Sequence, residues 1–421
     1  MERLRDDIED NRPPAEADPD GHRKRGSWYR GEIVNYFPNQ SDYFDKAFLR
    51  EFLLKGWTPE APFLTRGTKI TAFGSCFAAN ITRHLDSLGY DLSSRRDPDI
   101  HISRIGDGMV NTASIRGQFE WALENKKQPE NLWHGFKAEG YGYDEDIRVR
   151  TRDVFTATEF FIITLGLSEV WYDEVTGGTF WRAVPDGMFD ARRHKFRVMS
   201  MEETRADIAR IHALIRKHVP GAKILFTISP IPLAATFRPV ACLSANSVSK
   251  AILRAALDEF LRSRPEELNK SLFYFPSMEI VQQGFIDPWG RDNRHPEKGV
   301  LDTVMKTFEA VYCVGEGSLE DAGEMLQLFR AENIEDITKR KASDGEHHRK
   351  VLAALNAKKA AMVARAQARV REIEINLVKA AEAKEGEEVD QMALKRARRE
   401  RRRREREELG IRKGQPSRDG E

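Results

Sequence analysis

Cysteine is scarce in this chain. Three residues in 421, Cys76, Cys242 and Cys313, lie far apart. That number and spacing exclude a disulfide framework and the paired ligand patterns of zinc sites. They suit a reducing compartment. Apolar runs long enough to span a bilayer are missing, so no membrane span is expected. The opening residues Met1-Glu2-Arg3-Leu4-Arg5-Asp6-Asp7 hold no apolar h-region, and the expected location is the cytoplasm. There is no P-loop, no GxGxxG and no metal-ligand spacing, so neither a metal nor a cofactor is expected. Net charge is nearly absent too: 68 basic and 67 acidic residues leave +1. The balance hides strong local blocks at the two ends.

What is present is ordinary globular material, 40% hydrophobic, and long enough for one large domain plus appendages. It is organised around Thr71-Ala72-Phe73-Gly74-Ser75-Cys76-Phe77-Ala78. Lys69 to Phe73 is β-prone. Phe77, Ile81, Leu85 and Leu88 then recur at helical spacing, and Gly89 supplies a stop. Strand, glycine turn and helix lift Ser75 and Cys76 out of the sheet. They sit at a helix start, where backbone N–H groups and the dipole favour an anion. A buried cysteine beside a serine N-cap fits the same local pattern.

The rest of the chain reads as follows. Residues 1–26 are polar and charged, as expected of a disordered segment. Residues 27–317 form the core domain, opened by an aromatic-rich stretch that wraps it and carries a short helix over Asp45 to Lys55. Tyr90-Asp91-Leu92 begins a second strand. Residues 105–112 are a loop, and Thr112 to Leu123 a helix. Residues 130–155 are a polar surface excursion. Phe160 to Leu165 and Lys223 to Ile228 are strands buried on both faces. Trp171 to Phe189 is a hairpin turning at Gly177-Gly178. Ser200 to Glu203 is a capping box. Ser247 to Arg262 is an amphipathic helix, Leu272 to Phe275 a last strand, and Gly299 to Tyr312 a closing helix. Alternating strands and helices predict a three-layer α/β/α sandwich around a mainly parallel sheet, with its site at the carboxyl ends of the strands. Residues 318–421 are a charged tail, helical or partly disordered. His347 to Lys384 suits a long helix or weak coiled coil. The arginine-rich run from Lys395 to Arg406 is interrupted by Glu400 and Glu405 and has no aromatic residue for base stacking, which weakens a nucleic-acid contact.

Acyl transfer needs a nucleophile, a histidine base, a group that orients it, and donors for the oxyanion. Ser75 or Cys76 supplies the first. His295 supplies the second, and Asp292, three residues earlier, the third; alone, Asp-x-x-His is a weak signal. His84 falls mid-helix near the apolar stripe and reads as structural. His194 lies among Arg192, Arg193, Lys195 and Arg197, a basic surface.

Gly74-Ser75-Cys76-Phe77-Ala78 resembles the name-giving motif of the GSCFA domain family, which is similar to the SGNH/GDSL-like hydrolases. The resemblance extends over residues 27–315. It is carried also by Gly108-Met109-Val110-Asn111-Thr112-Ala113, Thr164-Leu165-Gly166-Leu167-Ser168-Glu169-Val170-Trp171, Ser229-Pro230-Ile231-Pro232-Leu233 and Tyr274-Phe275-Pro276. It implies a flavodoxin-like sheet and action on esters of sugars, lipids or polysaccharides. By the same resemblance, Gly108 matches the second-block glycine, Gly166 opens the third block, and Asp292 and His295 match the fifth. Two departures stand out. SGNH enzymes carry Gly-x-Ser, so spacing favours Cys76 as nucleophile while ester chemistry favours Ser75. The third-block asparagine is replaced by Ser168, and Asn111 is a candidate to compensate.

The sequence therefore supports an esterase or acyltransferase acting on an O-acyl group of a carbohydrate or related metabolite. Ser75 or Cys76, His295 and Asp292 carry the chemistry, and Gly108, Asn111, Gly166 and Ser168 line the oxyanion and substrate site. The alternative is a catalytically silent binding module whose charged helical tail docks to a protein or nucleic-acid partner.

Overall fold

The structure is a computed structural model that describes residues 33–74, 76–97, 100, 110–127, 144–181, 183–184, 186–340, 346–382, 397–402 and 404. They fall into two compact units divided after Arg330.

The first unit is built on seven strands: β1 (Lys69–Phe73), β2 (Asp91–Leu92), β3 (Phe160–Leu165), β4 (Glu169–Asp173), β5 (His194–Val198), β6 (Lys223–Ile228) and β7 (Leu272–Phe275). Five form one sheet in the order β2-β1-β3-β6-β7, and every pairing in it is parallel. All carboxyl ends therefore share one edge. Counting only these strands, the order is 2-1-3-4-5, which reverses direction between β1 and β3. In open parallel sheets that reversal opens a crevice at the carboxyl edge.

The helices are α1 (Cys76–Ser87), α2 (Ser93–Arg96), α3 (Thr112–Glu124), α4 (Glu145–Thr156), α5 (Met201–His218), α6 (Cys242–Arg262), α7 (Ser277–Gly284), α8 (Lys298–Tyr312), α9 (Leu319–Arg340) and α10 (Glu346–Glu382). The period-2 alternation of the strands divides the core. Phe73, Phe161, Ile163, Leu165, Phe226 and Tyr274 pack with residues of α3, α4, α5 and α6. Ile70, Ala72, Phe160, Ile162, Leu225 and Phe273 pack with residues of α1, α7, α8 and α9. Each such side chain contributes about 1.5–3 kcal/mol on burial, so β3, buried at all six positions, anchors the sheet.

The strands β1, β3, β6 and β7 and the capping box at Ser200 and Glu203 lie where the sequence places them. Several other expectations need correction. The polar excursion from 130 ends in a true helix, α4. The side chain of Asp144 accepts from the Ile147 N–H at 3.0 Å and caps it. Its charged residues concealed the apolar set Ile147, Val154 and Phe155. The hairpin does turn at Gly177-Gly178, with Tyr172 bridging Thr179 and Phe180 N–H donating to the Trp171 carbonyl, but it is short, and the main partner of β4 is β5. The short helix at Asp45 to Lys55 is a π-helical turn, Leu49–Leu54. The helix expected from Ser247 starts at Cys242. Helix α7 was not foreseen, because Ser277 to Gly284 is brief and follows a proline. The loop at 105–112 lies mostly outside the described residues, as do residues 1–26.

Helix α9 begins in the first unit, where Ala322 and Leu326 are fully buried. The second unit contains α10 and a helical segment over 397–402. Within it Lys359 pairs with Glu332. No helix among the described residues is long and apolar enough to cross a membrane.

Candidate active site

The carboxyl edge begins with Gly74, which follows β1. Its φ is +131°, and a Cβ there would stand 2.6 Å from both the Cβ and the carbonyl oxygen of Thr164 on β3. Only glycine permits that approach. The turn is thereby pressed against β3 at the strand reversal. Ser75 lies outside the described residues. Cys76 opens α1, and of it the backbone alone is described. Beneath the turn, the buried hydroxyl of Thr164 has no hydrogen-bond partner among the described residues.

Next along the edge is Gly166, just past β3. Its N–H donates to the carbonyl of Val110 at 2.8 Å, and the N–H of Leu167 donates to the same oxygen at 3.2 Å. A Cβ on Gly166 would lie 2.9 Å from the Val110 carbonyl oxygen. The glycine thus lets the two segments join. Gly108, two residues before Val110, is outside the described residues. Asn111 is buried at the start of α3. Its Oδ1 accepts from the Ser114 N–H at 2.8 Å, and its Nδ2 faces the carbonyls of Phe180 at 3.3 Å and Trp181 at 3.1 Å. Both N–H bonds of that amide are committed. Ser168 is fully buried. Its N–H donates to Ser249 Oγ at 2.8 Å and its own hydroxyl lies 3.3 Å from the same oxygen.

The fifth-block loop runs from α7 to α8 and is held at several points. Gly290 N–H donates to the His295 carbonyl and Glu297 N–H to the Pro288 carbonyl, each at 2.8 Å. Trp289 bridges Pro296. Asn293 takes a left-handed conformation, φ 54°, which asparagine tolerates. Asp292 Oδ1 accepts from the N–H groups of Arg294 at 3.1 Å and His295 at 3.0 Å. Its Oδ2 meets His295 Nδ1 at 2.5 Å. The imidazole contact, followed by the two backbone donors, holds the Asp292 carboxyl well below the usual carboxylate range. Both side chains are about half exposed, 50% for Asp292 and 49% for His295. With Nδ1 turned to the carboxylate, Nε2 is the ring nitrogen on the side away from Asp292.

Contacts tie this loop to the rest of the edge. Arg294 Nη2 donates to the Pro232 carbonyl at 3.3 Å, in the segment that follows β6. At the end of β6 and β3, the Lys250 ammonium donates to the carbonyls of Ser229 and Gly166, both at 2.7 Å. Thus Arg294 joins the Asp292–His295 loop to the segment after β6, and Lys250 joins the ends of β6 and β3.

The sequence reading overlooked Lys250 and Ser249. A signal was there: Lys250 stands three residues before Leu253 and seven before Leu257, on the apolar stripe of its helix. A charge on that stripe calls for a buried partner. The basic surface near His194 is largely neutralised. Arg193 pairs with Asp173, Arg192 with Asp190, Lys195 with Glu174 and Arg197 with Glu203. Among the described residues no group of three or more His, Cys, Asp or Glu could hold a metal ion.

Comparison with curated proteins returned no match. Comparison with known families matched residues 69–308, more than half of the chain and every strand of the sheet, to the GSCFA family. The strand–glycine turn–helix that bears Gly74-Ser75-Cys76-Phe77-Ala78 lies inside that match, and the chain belongs to the GSCFA family.

Proposed function

We propose that this protein is an SGNH-like esterase or acyltransferase, a three-layer α/β/α sandwich with a flavodoxin-like sheet. Its substrate is an O-acyl group on a carbohydrate or related metabolite. The observation that carries the reading is the Asp292–His295 pair, oriented by its loop, whose Arg294 reaches the segment that follows β6. Ser75 or Cys76 gives its proton to His295 Nε2 and attacks the acyl carbon. The ester C–O bond breaks, and the leaving oxygen takes the proton from His295 and departs as an alcohol. Water then attacks the acyl-enzyme with His295 as base and releases the acid; a second hydroxyl in its place gives transfer. Asp292 holds the imidazole and stabilises its charged form. Backbone N–H groups near residues 75, 76 and 108 hold the oxyanion. Gly166, Asn111 and Ser168 shape the backbone around that position. No cofactor enters the scheme.

The test is hydrolysis of an activated acetyl ester by wild type, Ser75→Ala, Cys76→Ala and His295→Ala. Loss of turnover in His295→Ala and in one of the other two supports the reading and names the nucleophile. A wild type without turnover or covalent labelling overturns it. One observation favours a second reading, a silent binding module that uses the charged tail for a protein or nucleic-acid partner. The side-chain donors of Asn111 and Ser168 are both committed inside the fold. Removal of residues 318–421 separates the readings: ester turnover survives under the first, and partner binding is lost under the second.

A further inference from the structure

Lys250 is about nine-tenths buried or more, with 5% of its surface exposed. Burying an ammonium costs several kcal/mol unless its hydrogen bonds are made inside the protein. Here two are made, to the carbonyls of Gly166 and Ser229. Those residues directly follow β3 and β6, adjacent strands in register at Leu165 and Ile228. Lys250 therefore closes the ladder where backbone pairing between the two strands stops. The preceding residue, Ser249, accepts the N–H of Ser168. Two consecutive residues of α6 thus fix the whole run from Gly166 to Ser168.

The location matters as much as the clamp. Gly74 abuts Thr164, two residues before Gly166, and two residues of strand span about 7 Å. Lys250 orients the peptide after Gly166 by holding its carbonyl.

We propose that Lys250 is a positioning residue for the site: it locks the carboxyl ends of β3 and β6 beside the Gly74 turn. The proposal rests on the esterase reading. Its test uses the full-length chain and an activated acetyl ester, with Lys250→Met, of similar length and neutral, and Lys250→Gln, neutral but still able to donate to one carbonyl. Misplacing a site by about 1 Å costs roughly 10²-fold in rate, so whichever variant folds is expected to lose about that much in kcat. Its KM should stay within about twofold, because Lys250 is buried and acts through the backbone it holds. A folded neutral variant with wild-type kcat, or one in which KM rises while kcat is kept, overturns the role of Lys250 and leaves the esterase reading standing. Absence of turnover in wild type overturns both.

Discussion

His295 meets Asp292 in a half-exposed loop, whereas His84 meets Glu309 between two packed helices with the glutamate only 1% exposed. The chemistry of the two pairs is the same. Both are histidine–carboxylate contacts, and both carboxyls are held below their ordinary range. The causes differ. For Asp292 the imidazole and two backbone donors act with hardly any opposing burial. For Glu309 burial pushes upward, and donors from His84 and Lys306 more than offset it. A pair whose members are spent on each other and on packing holds α1 to α8. A half-exposed pair on a loop outside the packed core is the one the esterase reading puts to use. His212, against Glu267 with Arg216 on the same oxygen, belongs to the structural kind.

The sharpest break between the pairs is the effect of removing each histidine or its partner. His295→Ala should lower kcat/KM for an activated ester by about 10²–10⁴-fold, the usual contribution of a positioned acid–base group. Its melting temperature should stay near wild type, because the side chain is half exposed; a loss of Tm without loss of rate would erase the distinction. Asp292→Asn comes next. It should cost about 10²-fold or more in rate, since the imidazole loses its orienting partner and the stabiliser of its charged form. Circular dichroism melts would again show little change.

Glu309→Gln should do the reverse. It removes a buried, doubly bonded carboxylate and should cost about 1–3 kcal/mol in denaturant unfolding, with kcat within about twofold of wild type. The smallest effect is on pH. A carboxyl with a lowered folded pKa binds fewer protons than in the unfolded chain, so it stabilises above the unfolded value and loses that stabilisation as pH falls through the folded one. Wild type should therefore lose stability as pH drops below about 4–5, and Glu309→Gln should show a shallower decline there. An identical decline in the two proteins would mean that Glu309 does not carry it.

Much of the sheet was legible because its strands are continuous apolar runs. Phe160 to Leu165 can be little else than a strand buried on both faces. The Asp292–His295 pair was legible because three residues in a tight loop suffice to bring the groups together. Helix α4 was not, since its buried apolar positions number three among charged neighbours and its start depends on the Asp144 cap. Pairing of β4 with β5 depended on a connection of twenty residues that local pattern does not encode. Lys250 was hidden for another reason: its meaning comes from two strand ends more than eighty and about twenty residues away in the chain and is invisible within its own helix. Asn111 looked like an oxyanion donor because its place in the second block is visible in sequence. That its amide is taken by Phe180 and Trp181 is a tertiary fact.

The most direct test of the central claim is to trap the acyl-enzyme. The full-length protein would be mixed with an activated acetyl ester, quenched in acid and mapped by peptide mass spectrometry. One acetyl group on Ser75 or Cys76 in wild type, and none at that position in His295→Ala, is the predicted result. Acetylation confined to surface lysines and equal in the two proteins would contradict it.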